Sequence, residues 1–395
     1  MYVTDGGHVF NANLRQVENL IHQQNKWVAG TGKHFVTIVV LVVPNGSADT
    51  RHAVEGAYLA QYEANHPTDS TTGSPLVRLV LADDRAWQPA VTALHGQHPM
   101  AVIGLGSGDA DLAHALAGRH IAMVGTGDLA GIHGLVRVTP TYPDEVSAAI
   151  RFLDTRPDRL PARPRMWLMQ DENPADAHAI ALGDAYAPAV RNRYQIVGPG
   201  SEYDSGVPAA ATVLTASAAG GGDGVCRAHV NVLYFAGTGP DLRRTLTELG
   251  HRSCARTQPL TVLTSSDAAQ IAGQPDLWSA SANMTVYFTA LASPGMWRGP
   301  ALADPATTAW FTKAPHGFSH MFPAEPATAL DDDQAIVSHD EVLTAISPER
   351  PVHGASGYLC FDKAGNPLDR AIPIVQLSSD GGVTYRGVTG PVIRC

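Results

Sequence analysis

The feature that most constrains this chain is a rhythm: between residues 36 and 263, short apolar runs alternate with stretches of helical period. The run "VTIVVLVV", Val36 to Val43, fits a buried strand and is too short to cross a bilayer. A helical "VEGAYLAQYEANH" follows it. Strand and helix then repeat through Leu76–Leu81, Trp87–Gln97, Ala101–Ile103, Asp109–Ala117 and Ile121–Val124. From Tyr142 the cycle starts again, with a helix to Leu153, strand Met166–Met169, helix Ala175–Ala187, strand Gln195–Val197 and a helix within Val207–Ala219. Strand Val230–Phe235, helix Pro240–Leu249 and strand Leu260–Leu263 complete it. Such alternation specifies two α/β units in series, each a doubly wound parallel sheet covered by helices. The tail differs, because Ala-Gly-Asn-Pro and Asp-Gly-Gly turns separate alternating strands there, which suggests antiparallel additions. Leu14, Val17, Leu20 and Ile21 form a helical stripe in Asn13–Ala29, a helix expected to precede the fold proper.

Two glycine-rich turns, "IGLGSGDAD" and "VGTGDLAG", raise the question of a nucleotide. In the first, Asp109 stands where the dinucleotide pattern needs a small residue, and its carboxylate would repel a pyrophosphate. In the second, Gly125, Gly127 and Ala130 match the spacing, but the run starting at Gly134 leaves no room for the phosphate-holding helix. There is no P-loop sequence, and Ser107 is not in a G-x-S-x-G elbow. No cofactor, metal site or catalytic constellation is therefore expected. A net charge of -10 without acidic or basic blocks argues against nucleic acid or membrane insertion.

In open parallel sheets, ligands sit outside the carboxyl ends of the strands. Both glycine turns occupy such positions. Gly104, Gly106, Gly125 and Gly127 would let backbone N–H groups approach a ligand, while Ser107 and Thr126 add hydroxyls. "MQDENPAD", "FAGTGPD" and "LTSSDAA" follow strands of the second unit in the same way.

The succession "VTIVVLVVPNGSADTRHAVEGAYLAQYEANH", "MAVIGLGSG", "HIAMVGTGD", "VRVTPTYPDEVSAAIRFL", "MWLMQDENPADAHA", "VNVLYFAGTGPDL" and "LTVLTSSDA" resembles the type I periplasmic binding protein fold. More narrowly, it is similar to the branched-chain amino acid (Leu/Ile/Val) class of ABC-transporter substrate-binding proteins and to receptor ligand-binding domains. The likeness covers about residues 35 to 395. It implies two lobes joined by three crossover strands, with a ligand cleft between them. Lobe one would be residues 33–140 and 283–348 and lobe two residues 141–282 and 349–395, with residues 1–32 an N-terminal helical extension. The implied function is non-catalytic binding of a small polar, amino-acid-like ligand. Its partner would be an ABC permease, or an upstream domain if the chain is the sensor of a longer protein. The implied location is extracytoplasmic, although "MYVTDGGHVF" has no secretory signal. The competing readings are a nucleotide-dependent enzyme of the doubly wound class and a scaffold that has lost its ligand.

Carried over residue by residue, Ser107 matches the serine that holds a ligand carboxylate, and Asp267 resembles the acid that pairs with a ligand ammonium. Gly127 and Asp128 fall where the family offers a backbone amide and a threonine hydroxyl; Gly106 and Thr126 share these turns. Thr238 and Pro174 replace aromatic residues that cover the ligand, with Asn173 beside them. Asp128 and Asp267 together would suit a cationic or polyhydroxylated ligand.

Four cysteines, with no C-x-x-C pair, permit two disulfides without requiring any. Cys226 and Cys254 each precede a strand, at the amino ends of expected neighbours, within the separation a disulfide tolerates. Cys360 and Cys395 could form a second bridge, and four reduced, buried cysteines are the alternative.

Overall fold

The computed structural model describes residues 2–43, 48–66, 75–106, 108–127, 129, 131–156, 160–174, 176–190, 193–197, 201–206, 221–291, 293, 352–354, 357–362, 364–368 and 370–389. Its first elements are β1 (Val3–Thr4), α1 (Arg15–Gly30), β2 (Phe35–Val42), α2 (Ala48–Asn65), β3 (Leu76–Asp83), α3 (Trp87–Leu94), β4 (Pro99–Leu105), α4 (Ala110–Ala117), β5 (Ala122–Gly125) and β6 (Leu135–Arg137). Then come α5 (Tyr142–Asp154), β7 (Arg165–Asp171), α6 (Ala177–Val190), β8 (Gln195–Ile196), β9 (Ser201–Tyr203), α7 (Gly221–Arg227), β10 (Val232–Ala236), α8 (Gly239–Gly250), β11 (Leu260–Thr264) and β12 (Met284–Thr289). The last are β13 (Val352–Gly354), β14 (Gly357–Phe361), β15 (Pro367–Leu368), β16 (Ile372–Leu377) and β17 (Val383–Thr389). The helix expected within Val207–Ala219 lies outside the described residues. The chain divides into two compact units, Met1–Thr139 with Gly299–Arg370 and Val392–Cys395, and Pro140–Arg298 with Ala371–Pro391.

In the first unit the strand order is β1-β3-β2-β4-β5-β6, parallel except for β1. Both faces of β2 are buried, which explains its unbroken apolar run. Val39 and Leu41 pack with Leu112 and Leu116 of α4, while Val36, Val40 and Val42 pack with Val54 and Tyr58 of α2. The winding reverses at β2, whose neighbours are β3 and β4.

The N-terminal segment is part of this unit and not an extension ahead of it. Leu14, Val17 and Ile21 sit in the same core cluster as β2 and β3, and β1 pairs with the edge of β3 at Leu81 and Ala82. Alternate residues of β3 turn their N–H and C=O outward, and where β1 ends, side-chain amides replace it. The Asn25 amide donates to the Leu79 carbonyl at 2.7 Å and accepts the Leu79 N–H at 3.0 Å. Asn65 does the same for Val77, at 3.0 and 2.7 Å, and Gln61 bridges Val77 and Asn25. All three amides are buried.

The tail also departs from the expected boundaries. The resemblance implies that residues 349–395 belong to lobe two, yet β14 packs Leu359 and Phe361 against Ala101, Val124 and Val138 of the first unit. The turn before β15 is fixed there too. Gly365, at φ +77°, accepts a hydrogen bond from the Arg137 N–H, and a side chain on it would strike the Leu135 carbonyl. Only β16 and β17 of the tail join the second unit, as the expected antiparallel additions.

The second unit's sheet runs β17-β16-β12-β11-β10-β7-β8, with β9 also paired to β7. Strand β12 belongs here by its parallel register on β11, Leu260 opposite Met284 through Thr264 opposite Phe288, so the passage to lobe one does not fall at residue 283. Helices α5 and α6 cover one face through Val146, Ile150, Leu182 and Tyr186, and α8 covers the other through Leu242, Leu246 and Leu249. The winding reverses between β7 and β10.

Cys226 and Cys254 are joined, with Cα atoms 5.7 Å apart, linking the segments that lead into β10 and β11. Cys360 is disulfide-bonded as well; Cys395, its expected partner, lies outside the described residues. Closing a loop with a separation of 28 residues stabilises the folded chain by about 3–4 kcal/mol in the chain-entropy account.

Two outcomes are expected. Denatured, unreduced protein titrates with no free thiols, and Cys226→Ser lowers stability in urea by about 3 kcal/mol. Asn25→Leu leaves both Leu79 backbone groups buried and unpaired, and costs about 2–4 kcal/mol in the same assay.

Candidate functional site

The carboxyl end of the first unit's sheet is shaped by a bulge. The register between β4 and β5 shifts at Gly104, which adopts φ +93° and lies so close to the Leu41 carbonyl that a Cβ would sit at 3.0 Å. Beyond it, the Leu105 carbonyl accepts the N–H groups of Thr126 at 2.8 Å and Gly127 at 3.1 Å. The Gly106 N–H donates to the Asp109 carboxylate at 2.6 Å. The amides expected to meet a ligand at Gly106 and Gly127 are thus already bonded within the unit. What this turn presents outward is Thr126, which is exposed. Asp109 fills the place an anion would take on Gly106, the physical reason a phosphate cradle is absent here. Asp84, at the end of β3, is pushed up to about 7 by burial and by the neighbouring Asp109 and Asp83 carboxylates. Ser107 and Asp128 lie outside the described residues.

The second unit brings several expected residues to one sheet end. Thr238 N-caps α8, and its hydroxyl donates to Asp241 at 2.9 Å. The next residue, Gly239, faces the turn after β11. A Cβ there would lie 2.7 Å from the Asp267 carbonyl and 2.8 Å from Gln270 Cβ, so Thr238 and Asp267 belong to touching turns. Asn173 follows β7, its N–H bonded to Asp171 and its amide to the Ser205 hydroxyl. Asp267 lies in the first turn of the 3-10 helix Ser266–Ile271, which Ser265 caps, and its carboxylate is 3.6 Å from His178 Nε2.

Behind Asp267 lies a group the sequence reading missed. Glu145 is 3% exposed and accepts the Thr289 hydroxyl at 2.9 Å. Burial pushes its carboxyl up to about 7, with His178 and the Thr289 hydrogen bond opposing and Asp267 adding to the rise. Its local signal is faint. Thr141 and Asp144 form the capping pair of α5, and Glu145 is simply the next residue, on the face that buries Val146 and Ile150. Among the described residues, no group of three or more His, Cys, Asp or Glu side chains could hold a metal ion, and no helix is long and apolar enough to cross a membrane.

No protein-family model matches the chain, and no curated protein does. Solved structures do. An ABC-transporter substrate-binding protein from Desulfitobacterium hafniense in complex with Leu aligns with a TM-score of 0.63 at 16% identity, over 89% of this chain and 99% of that one. A solute-binding protein from Rhodopseudomonas palustris HaA2 in complex with p-hydroxybenzoic acid gives 0.63 at 11%, over 90% and 96%. A substrate-binding protein from Aeropyrum pernix gives 0.61 at 13%, over 91% and 96%. The chain therefore has the two-unit α/β fold of the ABC-transporter substrate-binding proteins. It is the type I periplasmic binding protein fold, at an identity that establishes architecture.

Glu145 makes stability depend on pH. Its folded-state value lies above the ordinary glutamate value of 4.5, so its neutral form is favoured by folding. Stability is full below about pH 4.5, falls as pH rises towards 7, and stays reduced above, by a loss on the order of 3 kcal/mol. Glu145→Gln, which keeps an acceptor for Thr289, should flatten the decline in melting temperature between pH 5 and 8, as read by calorimetry.

Proposed function

We propose that the chain is a non-catalytic binding protein that takes a small polar, amino-acid-like ligand on the carboxyl-edge loops of its sheets. Its work is delivery to an ABC-type permease, or sensing within a longer polypeptide. The observation that carries this reading is the placement of Asp267 and Thr238 on touching turns beside the winding reversal of the second unit's sheet, where open α/β sheets hold ligands. The fold shared with proteins solved with Leu and p-hydroxybenzoic acid supports it. In this reading Asp267 meets a ligand ammonium, with Thr238 and Asn173 as hydroxyl and amide partners. Ser107, Thr126 and Asp128 are the corresponding candidates in the first unit's glycine turns, with Ser107 taking a carboxylate, whereas the Gly106 and Gly127 amides are already bonded to Asp109 and Leu105. The Cys226–Cys254 disulfide supports an extracytoplasmic location. A nucleotide-dependent enzyme is disfavoured, because the Gly106 amide that would face a phosphate is held by Asp109.

A thermal-shift screen of amino acids, amides, polyamines and sugars tests the proposal. A ligand at about 100 times its Kd raises stability by about 2.7 kcal/mol. Asp267→Ala should abolish the shift for an ammonium-bearing ligand and leave the ligand-free melting temperature unchanged. Ser107→Ala should weaken ligands that carry a carboxylate. A retained dinucleotide in native mass spectrometry, with no response to small polar molecules, would overturn the reading.

A further inference from the structure

The second unit's sheet end contains a side chain that the binding reading leaves unused. His178, at the start of α6, places Nε2 3.6 Å from Asp267 Oδ2 and 3.4 Å from Ser265 Oγ, with its ring edge-on to Tyr142 at 5.0 Å. His178 and Asp267 are each about one-quarter exposed, at 25% and 26%, so both can be reached from solvent. The titratable groups that face this pair are Glu145 and Tyr142 from α5, while Tyr234 of β10 interacts electrostatically with Glu145. Glu145 is buried behind the pair, and its carboxyl is engaged by the Thr289 hydroxyl and the Ser266 N–H.

We propose that His178 is a specificity-determining residue at this sheet end: His178 and a ligand's cationic nitrogen compete for the Asp267 carboxylate, so a cation binds with release of a proton. The inference rests on the reading that Asp267 meets the ligand. It follows from charge counting at one carboxylate. A protonated imidazole and an ammonium group on Asp267 repel each other, and a protonated Glu145 supplies no second anion to hold both. The ammonium therefore enters when the imidazole is neutral, and the proton leaves to solvent. A ligand with a hydroxyl in that position displaces no charge and enters with His178 in either state. The site thus prefers amines as pH rises and tolerates neutral polar groups throughout.

Calorimetry of the full chain with L-leucine, at about pH 6.5 in two buffers of different ionisation enthalpy, reads the protons released per ligand. More proton release is expected in the wild type than in His178→Gln, where Glu145 alone can still give up a proton as the ammonium neutralises Asp267. Equal release in both would overturn the proposal. A second measurement needs no ligand: the pH-dependent NMR shifts of the His178 ring should differ between wild type and Asp267→Asn. Superimposable curves would overturn the competition outright. Differing curves in a protein that binds neither L-leucine nor any other amine would uphold the His178–Asp267 coupling and sink the ligand reading instead.

Discussion

A strand buried on both faces has to pair every backbone N–H and C=O inside the sheet or along its edges, and that requirement organises both units. It is most visible on β3. Its inner side pairs with β2, a short N-terminal strand covers part of the outer side, and Asn25, Gln61 and Asn65 cover the rest. These amides imitate a strand, since each of the two asparagines offers one acceptor and one donor to the same residue. Helices α1 and α2 are consequently tied to the sheet by hydrogen bonds as well as by Leu14, Ile21 and Tyr58. Where the strands end, the pairing obligation ends too, and the polar chemistry of the molecule gathers there.

That polar chemistry is held under an unfavourable solvation balance. Burial raises the carboxyls of Asp84 in one unit and Glu145 in the other, both close to the ends of parallel strands. The local hydrogen bonds lower Glu145 by less than burial raises it. Each unit thus keeps an acid raised by burial near a second carboxylate, Asp109 in one and Asp267 in the other.

The alternation of apolar runs and helices was enough to read the two parallel sheets, and Asp109 was enough to exclude a phosphate cradle. Long-range pairing was not legible. The run "MTVYFT" of β12 reads the same beside either sheet; only its register against β11 assigns it. The return of Leu359 and Phe361 to the first unit depends on Gly365 meeting Leu135, a contact no local pattern announces. Asp267 and Thr238 became candidates because their loops follow strands and because the family resemblance points to those positions. His178 and Glu145 lie within helical segments whose patterns look ordinary, and their relation to Asp267 exists only once α5 and α6 are packed on the sheet.

The Cys226–Cys254 bridge lies where the chain enters β10 and β11, whereas Thr238 and Asp267 lie where it leaves them. If Asp267 meets the ligand as proposed, durability and discrimination fall at opposite ends of the same two strands. Drift in the loops that follow β10 and β11 leaves the anchorage intact. Reducing the bridge would loosen the entries to both strands and leave the loops at their exits covalently unchanged.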